Sequence, residues 1–227
     1  KLLWSFNSSD LGLTTSVPAV VRVNPAADAK ASNTNAKWYM VAGSGPTGYD
    51  ASTAQGAKVF VIDLATGPGS SNTLVTSYSV GSWNSYMGDM TAFDRDLDYR
   101  HDVVYFGRVI NDGTPPWRGK IYRLTMGAGG VTAKFGTVTS PTQWGIASGS
   151  ARVPTEMLDT FQSGAEMGPV ATAPSVTMDD AANVWVFVGS GRYYSKSDKT
   201  DVSTQYFVGL KDSVLNAGCN QTAGALN

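Results

Sequence analysis

The distribution of hydrophobic and polar residues along the chain repeats three times. Each copy begins with a short strand that contains small residues, Pro or Thr, and a polar turn leads from it to a strongly apolar strand ending in Gly. A variable loop then leads to a strand in which apolar and polar residues alternate. The predicted strands are residues 16–23, 37–43 and 57–63; residues 88–94, 102–107 and 119–124; and residues 172–179, 183–189 and 205–210.

This pattern predicts an all-β protein. Runs of four to seven β-branched and aromatic residues, bounded by Gly, Asn, Asp and Pro, are typical of strands. Helical periodicity is not sustained anywhere, and residues 157–161 are expected to form one helical turn at most. The continuous apolar run at residues 185–188 predicts an inner strand that is buried on both faces. Trp38 and Trp185 are assigned the same place in their repeats and are expected in the core.

The spacing of the repeats favours a modified β-propeller. Gly43, Gly107 and Gly189 are 64 and 82 residues apart, which exceeds the roughly 40–50 residues of a compact blade and indicates inserted loops. We predict one β-propeller region over residues 1–227 with about three to four blades, made of the three repeats and a strand at residues 1–6. Because a closed ring takes about four to eight blades, a missing segment or a second chain is expected to complete it.

A cluster of aspartates follows the first strand of the second repeat. Asp94, Asp96, Asp98 and Asp102 occupy positions 1, 3, 5 and 9 of a nine-residue loop, and position 7 is Arg100. Calcium takes six to eight oxygen ligands, and alternating carboxylates on a tight loop supply them to one centre, with the Arg100 carbonyl pointing inward. The four carboxylates would repel one another without a cation. The sequence therefore predicts a Ca²⁺ site, whereas Mg²⁺ prefers fewer carboxylates and retained waters.

The aspartate loop is not an EF-hand, because position 6 is Tyr99 instead of Gly and position 12 is Tyr105 instead of Glu. An acidic turn, in which the Asp side chains bond to backbone groups, is the alternative to a metal site. Residues 179–183 carry two carboxylates and an Asn between two predicted strands, and there we predict a turn without a metal.

Composition and charge narrow the functional classes. The net charge is −1 without any basic run, which argues against nucleic acid as a partner. Apolar runs fall short of the roughly 20 residues that span a bilayer. The single cysteine, Cys219, rules out an internal disulfide but could pair with another chain. The one histidine, His101, lies inside the aspartate loop, and no serine has a nucleophile-elbow motif, so we predict that the protein is not an enzyme.

The order and spacing of several short motifs resemble the C-terminal propeller of the PilY/PilC-type proteins of bacterial type IV pili. The motifs are LWSF at residues 3–6, DLG at 10–12, FVID at 60–63, DYRHDVVYFG at 98–107, APSV at 173–176, WVFVGSGRY at 185–193 and YFVGLKD at 206–212. They span nearly the whole chain, and none of them is diagnostic alone.

This resemblance implies a quinoprotein-like propeller, the C-terminal part of a larger ring, that binds calcium through the same five loop residues. It implies an exported protein at the pilus tip or cell surface, or associated with the outer membrane. Such a protein would act in pilus assembly, twitching motility and surface adhesion, with pilins or minor pilins and a host or abiotic surface as partners. Two other functions stay open from the sequence, a quinoprotein-like dehydrogenase propeller and a carbohydrate-binding surface protein.

Overall fold

The computed structural model describes residues 1–68, 76–111, 117–127, 135–159 and 163–213. Within these ranges the chain forms thirteen strands and two short 3-10 helices, Pro141–Gln143 and Lys196–Thr200. The strands are β1 Ala19–Val23, β2 Lys37–Gly43, β3 Lys58–Asp63, β4 Thr76–Ser79, β5 Ser85–Phe93, β6 Val103–Ile110, β7 Arg118–Thr125, β8 Ile146–Ser148, β9 Ala151–Val153, β10 Thr155–Leu158, β11 Ser175–Met178, β12 Val184–Gly189 and β13 Phe207–Asp212. Cys219 lies outside the described residues.

The strands form three antiparallel sheets and a small hairpin. The first sheet has the order β1-β2-β3-β4, the middle sheet β10-β7-β6-β5 and the third sheet β11-β12-β13, while β8 pairs with β9. The prediction of an all-β protein is confirmed, and each predicted repeat corresponds to one sheet. The helical turn expected at residues 157–161 is wrong for residues 157 and 158. Met157 and Leu158 belong to β10, which pairs with β7 at the edge of the middle sheet.

The sheets are joined by two cores. Apolar side chains of the first and middle sheets, such as Val41, Val61 and Phe106, form one cluster. Tyr105 and Ile121 on the opposite face of the middle sheet pack with side chains of the third sheet. The sheets therefore stack in sequence order, although the described residues do not close into a ring. No helix in the described part of the chain is long and apolar enough to cross a membrane.

Burial of the central strands reflects this stacking. All eight residues of β6 are buried, because the middle sheet has a neighbour on each face. In β12, by contrast, buried and half-buried residues alternate. The predicted burial of residues 185–188 on both faces is therefore wrong. Val186 and Val188 pack toward the middle sheet, whereas Trp185 and Phe187 lie on a face where the described residues place no further sheet.

The N-terminal segment is extended but joins no sheet, so the strand predicted at residues 1–6 is wrong. Both edges of β3 are already paired, with β2 and β4, and the segment crosses the face of the first sheet instead. The Phe6 ring packs on Phe60 at 5.4 Å between centroids, and Trp4 Nε1 donates to the Leu64 carbonyl over 3.3 Å. Gly45 N donates to the Leu11 carbonyl over 2.8 Å. We call residues 1–13 the N-terminal strap.

Candidate metal site

The aspartate loop, residues 94–102, connects β5 to β6 and thus joins two neighbouring strands of the middle sheet. Leu97 and Tyr99 adopt left-handed conformations, with φ of 53° and 66°, and their side chains are exposed. The backbone N–H groups of Asp98 and Tyr99 donate to the Asp94 carboxylate over 3.2 and 2.8 Å. These bonds fold the loop back on its own beginning, as Asx-type turns do.

Three of the predicted carboxylates converge. Asp94, Asp96 and Asp102 each offer an oxygen, and these oxygens lie within 4.8 Å of one another. Oxygens bound to one calcium ion at about 2.3–2.6 Å can be no more than about 5 Å apart, so this spacing is compatible with a shared ion. Asp102 is buried, Asp94 is half-buried and Asp96 is exposed, which leaves the group open to solvent on one side.

Asp98 and Arg100 are placed differently from the other predicted residues. Arg100 Nη1 donates to Asp98 Oδ2 over 2.7 Å, and both side chains are at most 4% exposed. The Arg100 guanidinium also donates to the Asn24 carbonyl over 3.0 Å and to the Asp28 carbonyl over 3.0 Å. The structure thus groups the carboxylates of three of the five predicted ligand residues. The side chains of the other two, Asp98 and Arg100, pair with each other and attach the loop to the segment that follows β1. Calcium ligation by this loop stays a prediction.

The electrostatics of the loop are unfavourable for carboxylate anions. Burial raises the pKa of Asp102 to about 7, and the negative charges of Asp96, Asp94 and Asp98 add to this effect. Burial is also the main cause that raises the pKa of Asp94. A bond from Arg95 N to Asp102 Oδ2, 2.7 Å long, acts in the opposite direction. A divalent cation would supply the positive charge that these carboxylates lack.

The loop is fastened to the sheets on either side. Arg22 N in β1 donates to His101 Nδ1 over 3.0 Å, and His101 N donates back to the Arg22 carbonyl over 2.8 Å. On the other side, Arg95 Nη2 donates to the Ala182 carbonyl between β11 and β12 over 3.4 Å. Sequence reasoning missed the role of Arg22, since it lies 79 residues from His101 and no local motif marks it.

A surface cleft of about 540 Å³ adjoins the loop. Trp38, Tyr99, Asp94 and His101 are among its lining residues. The Trp38 side chain is 44% exposed, so its expected core position is wrong. Trp38 lies five residues before Gly43, whereas Trp185 lies four before Gly189, and in strands this difference places the two side chains on opposite faces.

The turn predicted at residues 179–183 is confirmed. It connects β11 to β12, and Asp179 Oδ1 accepts hydrogen bonds from Ala181 N and Asn183 N over 3.0 and 2.9 Å. Asp179 Oδ2 accepts one from Trp185 Nε1 over 2.9 Å. These bonds, with that from Trp185 the largest cause, lower the pKa of Asp179 to about 2. The Asp179 carboxylate therefore stabilises the turn that connects β11 to β12.

Comparisons with known proteins show a likeness in fold to a solved structure. No protein-family model matches this sequence, and no curated protein matches it. The crystal structure of the PilY1 C-terminal domain from Pseudomonas aeruginosa is similar, with a TM-score of 0.61 and 20% sequence identity. The match covers 89% of this chain and 38% of that chain. At this identity the likeness shows the fold, so the three stacked sheets correspond to part of that domain's architecture.

Proposed function

We propose that this chain is a non-enzymatic, calcium-binding module of an exported type IV pilus tip or biogenesis protein. The convergence of Asp94, Asp96 and Asp102 within 4.8 Å carries the calcium-binding part of the proposal. The similarity in fold between this chain and the PilY1 C-terminal domain supports the pilus context. Roles in pilus assembly, twitching motility and surface adhesion, and contacts with pilins, belong to the same proposal.

Calcium would act as a brace between strands. Asp94 follows the end of β5 and Asp102 precedes the start of β6, so one ion ligated by both joins two strand ends. The bonds of the loop to Arg22 and Ala182 extend that restraint to the first and third sheets. Calcium that binds only the folded chain stabilises it by RT ln(1 + [Ca²⁺]/Kd), about 2.7 kcal/mol at a concentration of 100 Kd.

Scanning calorimetry with and without calcium tests the binding directly. For a chain of this size, the stabilisation at 100 Kd raises the unfolding midpoint by roughly 5–10 °C. The variant Asp96→Asn removes an exposed carboxylate of the group and is expected to lose most of this rise. Asp180→Asn, which alters an exposed carboxylate of the β11–β12 turn, is expected to keep it. Identical wild-type midpoints in saturating calcium and in chelator would rule out the calcium brace.

The pilus context needs a separate test, made in the bacterium that encodes the chain. Deletion of the gene is expected to reduce twitching and the amount of surface pilin, and complementation with the Asp102→Asn gene is expected to restore these only in part. Normal twitching and piliation after deletion would contradict the pilus role and leave calcium binding untouched.

A carbohydrate-binding function is the second candidate, and the cleft beside the loop favours it. Trp38 and Tyr99 expose aromatic faces there, next to the polar groups of Asp94 and His101. Aromatic faces stack on sugar rings while carboxylate and imidazole groups bond to hydroxyls. A glycan array probed with the wild type and with Trp38→Ala tests this function, and binding unchanged by the substitution would exclude the cleft.

A further inference from the structure

The cleft beside the aspartate loop is lined by two distant parts of the chain. One part is the connection between β1 and β2, with Asn33, and the other is the aspartate loop, with Tyr99 and His101. Trp38 in β2 also lines the cleft and is the cross-strand partner of Arg22 in β1. Because side chains at paired positions lie on the same face of a sheet, Arg22 stands next to Trp38 at the cleft.

Arg22 fastens both parts of this lining. The residue is only 5% exposed, and its Nη1 donates to the Lys30 carbonyl over 3.2 Å and to the Tyr99 carbonyl. Its Nη2 donates to the Ser32 carbonyl and to Asn33 Oδ1, the latter over 3.4 Å. The Nη hydrogens of the guanidinium therefore bond to protein oxygens from both parts. A cleft held in shape in this way loses little conformational entropy when a ligand binds.

The bonds to Arg22 also decide which groups the cleft offers to a ligand. His101 Nδ1 accepts from Arg22 N over 3.0 Å, so the neutral imidazole carries its proton on Nε2 and can donate it there. Asn33 accepts from Arg22 through Oδ1, which leaves the amide N–H groups of its side chain as donors. The cleft therefore presents two hydrogen-bond donors of fixed identity.

Asp94 supplies the cleft with an acceptor and a negative charge. Its carboxylate accepts from Asp98 N and Tyr99 N, and a carboxylate has about four acceptor positions, so it can bond to a ligand as well. Among the described residues that line the cleft, Arg22 is the cation, and its Nη groups bond to protein oxygens. A negatively charged ligand is therefore repelled by Asp94 without a compensating contact, whereas a positively charged group is attracted.

We propose that this cleft binds amino sugars in preference to neutral sugars and excludes acidic ones. The sugar ring stacks on the exposed Trp38 and Tyr99 side chains, and its ammonium group pairs with Asp94. Its hydroxyl oxygens accept from His101 Nε2 and from the Asn33 amide. A lysine side chain of a protein partner fits less well, because an ammonium group offers no acceptor to these two donors. The inference rests on the carbohydrate-binding function proposed above and adds the class of sugar.

Three β-1,4-linked tetramers of equal length test the preference. Cellotetraose is neutral, the glucosamine tetramer has an ammonium group in place of each 2-hydroxyl, and the glucuronate tetramer has a carboxylate at each C6. Isothermal titration at low salt and about pH 6, which keeps the amines protonated, is expected to show roughly five- to tenfold tighter binding of the amino tetramer than of cellotetraose. Binding of the acidic tetramer is expected to be undetectable. Titration in chelator makes these results independent of calcium binding.

Two cleft variants and a control separate charge from stacking. Asp94→Asn is expected to reduce the affinity for the amino tetramer to that for cellotetraose, whereas Asp180→Asn, at an exposed carboxylate of the β11–β12 turn, is expected to keep the difference. Trp38→Ala, at an exposed side chain, is expected to weaken the binding of both tetramers several-fold. Urea unfolding of each variant verifies that it is folded.

The outcomes distinguish this inference from the function on which it rests. Equal wild-type affinities for the amino and neutral tetramers would overturn the preference and leave carbohydrate binding intact. Binding of none of the tetramers would overturn the preference as well, and the glycan array with Trp38→Ala then decides whether the cleft binds any sugar. Tighter binding of a tetralysine peptide than of the amino tetramer would overturn the inference in favour of a protein partner.

Discussion

Asp98 and Arg100 form a buried ion pair within the aspartate loop, with Arg100 Nη1 donating to Asp98 Oδ2 over 2.7 Å. The guanidinium also donates to carbonyls of the segment that follows β1, at Asn24, Pro25 and Asp28. One carboxylate of the loop therefore serves attachment to the first sheet, while the other three each bring an oxygen to within 4.8 Å of one another. The two tasks can be separated by substitution.

Asp98→Ala is expected to lower the free energy of unfolding in chelator by about 3–5 kcal/mol, since it leaves a buried guanidinium without its counter-ion. Asp96→Ala removes an exposed carboxylate and is expected to change that free energy by less than about 1 kcal/mol. Urea unfolding followed by tryptophan fluorescence measures both. Similar losses of unfolding free energy in the two variants would show that the Asp98–Arg100 ion pair does not stabilise the loop more than the exposed Asp96 carboxylate does.

Stability without calcium is expected to decrease between pH 5 and pH 8. The pKa of Asp102 is about 7 in the folded chain and 3.8 as its ordinary value, so the folded state binds more protons across this window. Its contribution is complete below about pH 4 and is lost as the pH rises through 7. Asp179, with its pKa lowered to about 2, loses its contribution only below this window.

The matched comparison for the pH effect is Asp102→Asn. Burial lowers the pKa of His101, which gives a contribution of the opposite sign in the same window in both proteins. The difference in slope between wild type and variant therefore isolates the carboxylate. Urea unfolding in chelator at several pH values measures it, and parallel slopes would show that Asp102 does not titrate as its burial requires.

Tyr105, Arg123 and Asp212 form a buried network at the interface of the middle and third sheets. Arg123 Nη1 donates to Asp212 Oδ1 over 2.6 Å, and the Tyr105 hydroxyl donates to Asp212 Oδ2 over 2.8 Å. Arg123→Met is expected to lower the free energy of unfolding by about 3–5 kcal/mol, because it removes the cationic partner of the buried Asp212 side chain. Tyr105→Phe is expected to cost about 1–2 kcal/mol.

Equilibrium urea unfolding measures the contribution of this network, with Lys211→Met as the control. Lys211 is the neighbour of Asp212 in β13, and its side chain is exposed, so its substitution is expected to change stability by less than about 0.5 kcal/mol. If Arg123→Met changed the free energy of unfolding as little as this control does, the network would not contribute to the packing of the two sheets.

The N-terminal strap is expected to stabilise the first sheet through its aromatic side chains. Phe6→Ala removes the ring that packs on Phe60 and is expected to lower the free energy of unfolding by about 1–2 kcal/mol, because Phe60 becomes accessible to water. Leu3→Ala, at a side chain that is 78% exposed, is the matched control with little expected effect. Equal denaturation curves for the two variants would mean that the contact between Phe6 and Phe60 does not contribute to the stability of the sheet.

The central strands could be predicted from sequence because their apolar runs are long and end at recognisable glycines and turns. The outer strands β4 and β10 could not. In β4, only Tyr78 is buried among polar neighbours, and four residues of this kind do not differ from a loop in pattern. Strands at a sheet edge form because a neighbour offers free backbone groups, which is information that lies elsewhere in the chain.

The aspartate spacing predicted a metal-binding loop, and the structure brings three of its four carboxylates together. It could not show that Asp98 turns to Arg100, since the carbonyl groups that position the arginine come from residues more than 70 positions earlier. The single histidine could not be assigned a role for the same reason. Its backbone and imidazole bond to Arg22, on a strand of another sheet.

The reciprocal bonds between Arg22 and His101 span 79 residues and close only after the first and middle sheets have met. We expect these bonds to form after the transition state of folding, because they restrain a connecting loop and not the strands whose pairing builds the core. The three carboxylates would then acquire their final arrangement after the rate-limiting step. An ion captured by them would leave the folding rate nearly unchanged and would act almost entirely by slowing unfolding. Calcium would in this way determine how long the folded protein lasts, with little influence on how quickly it forms.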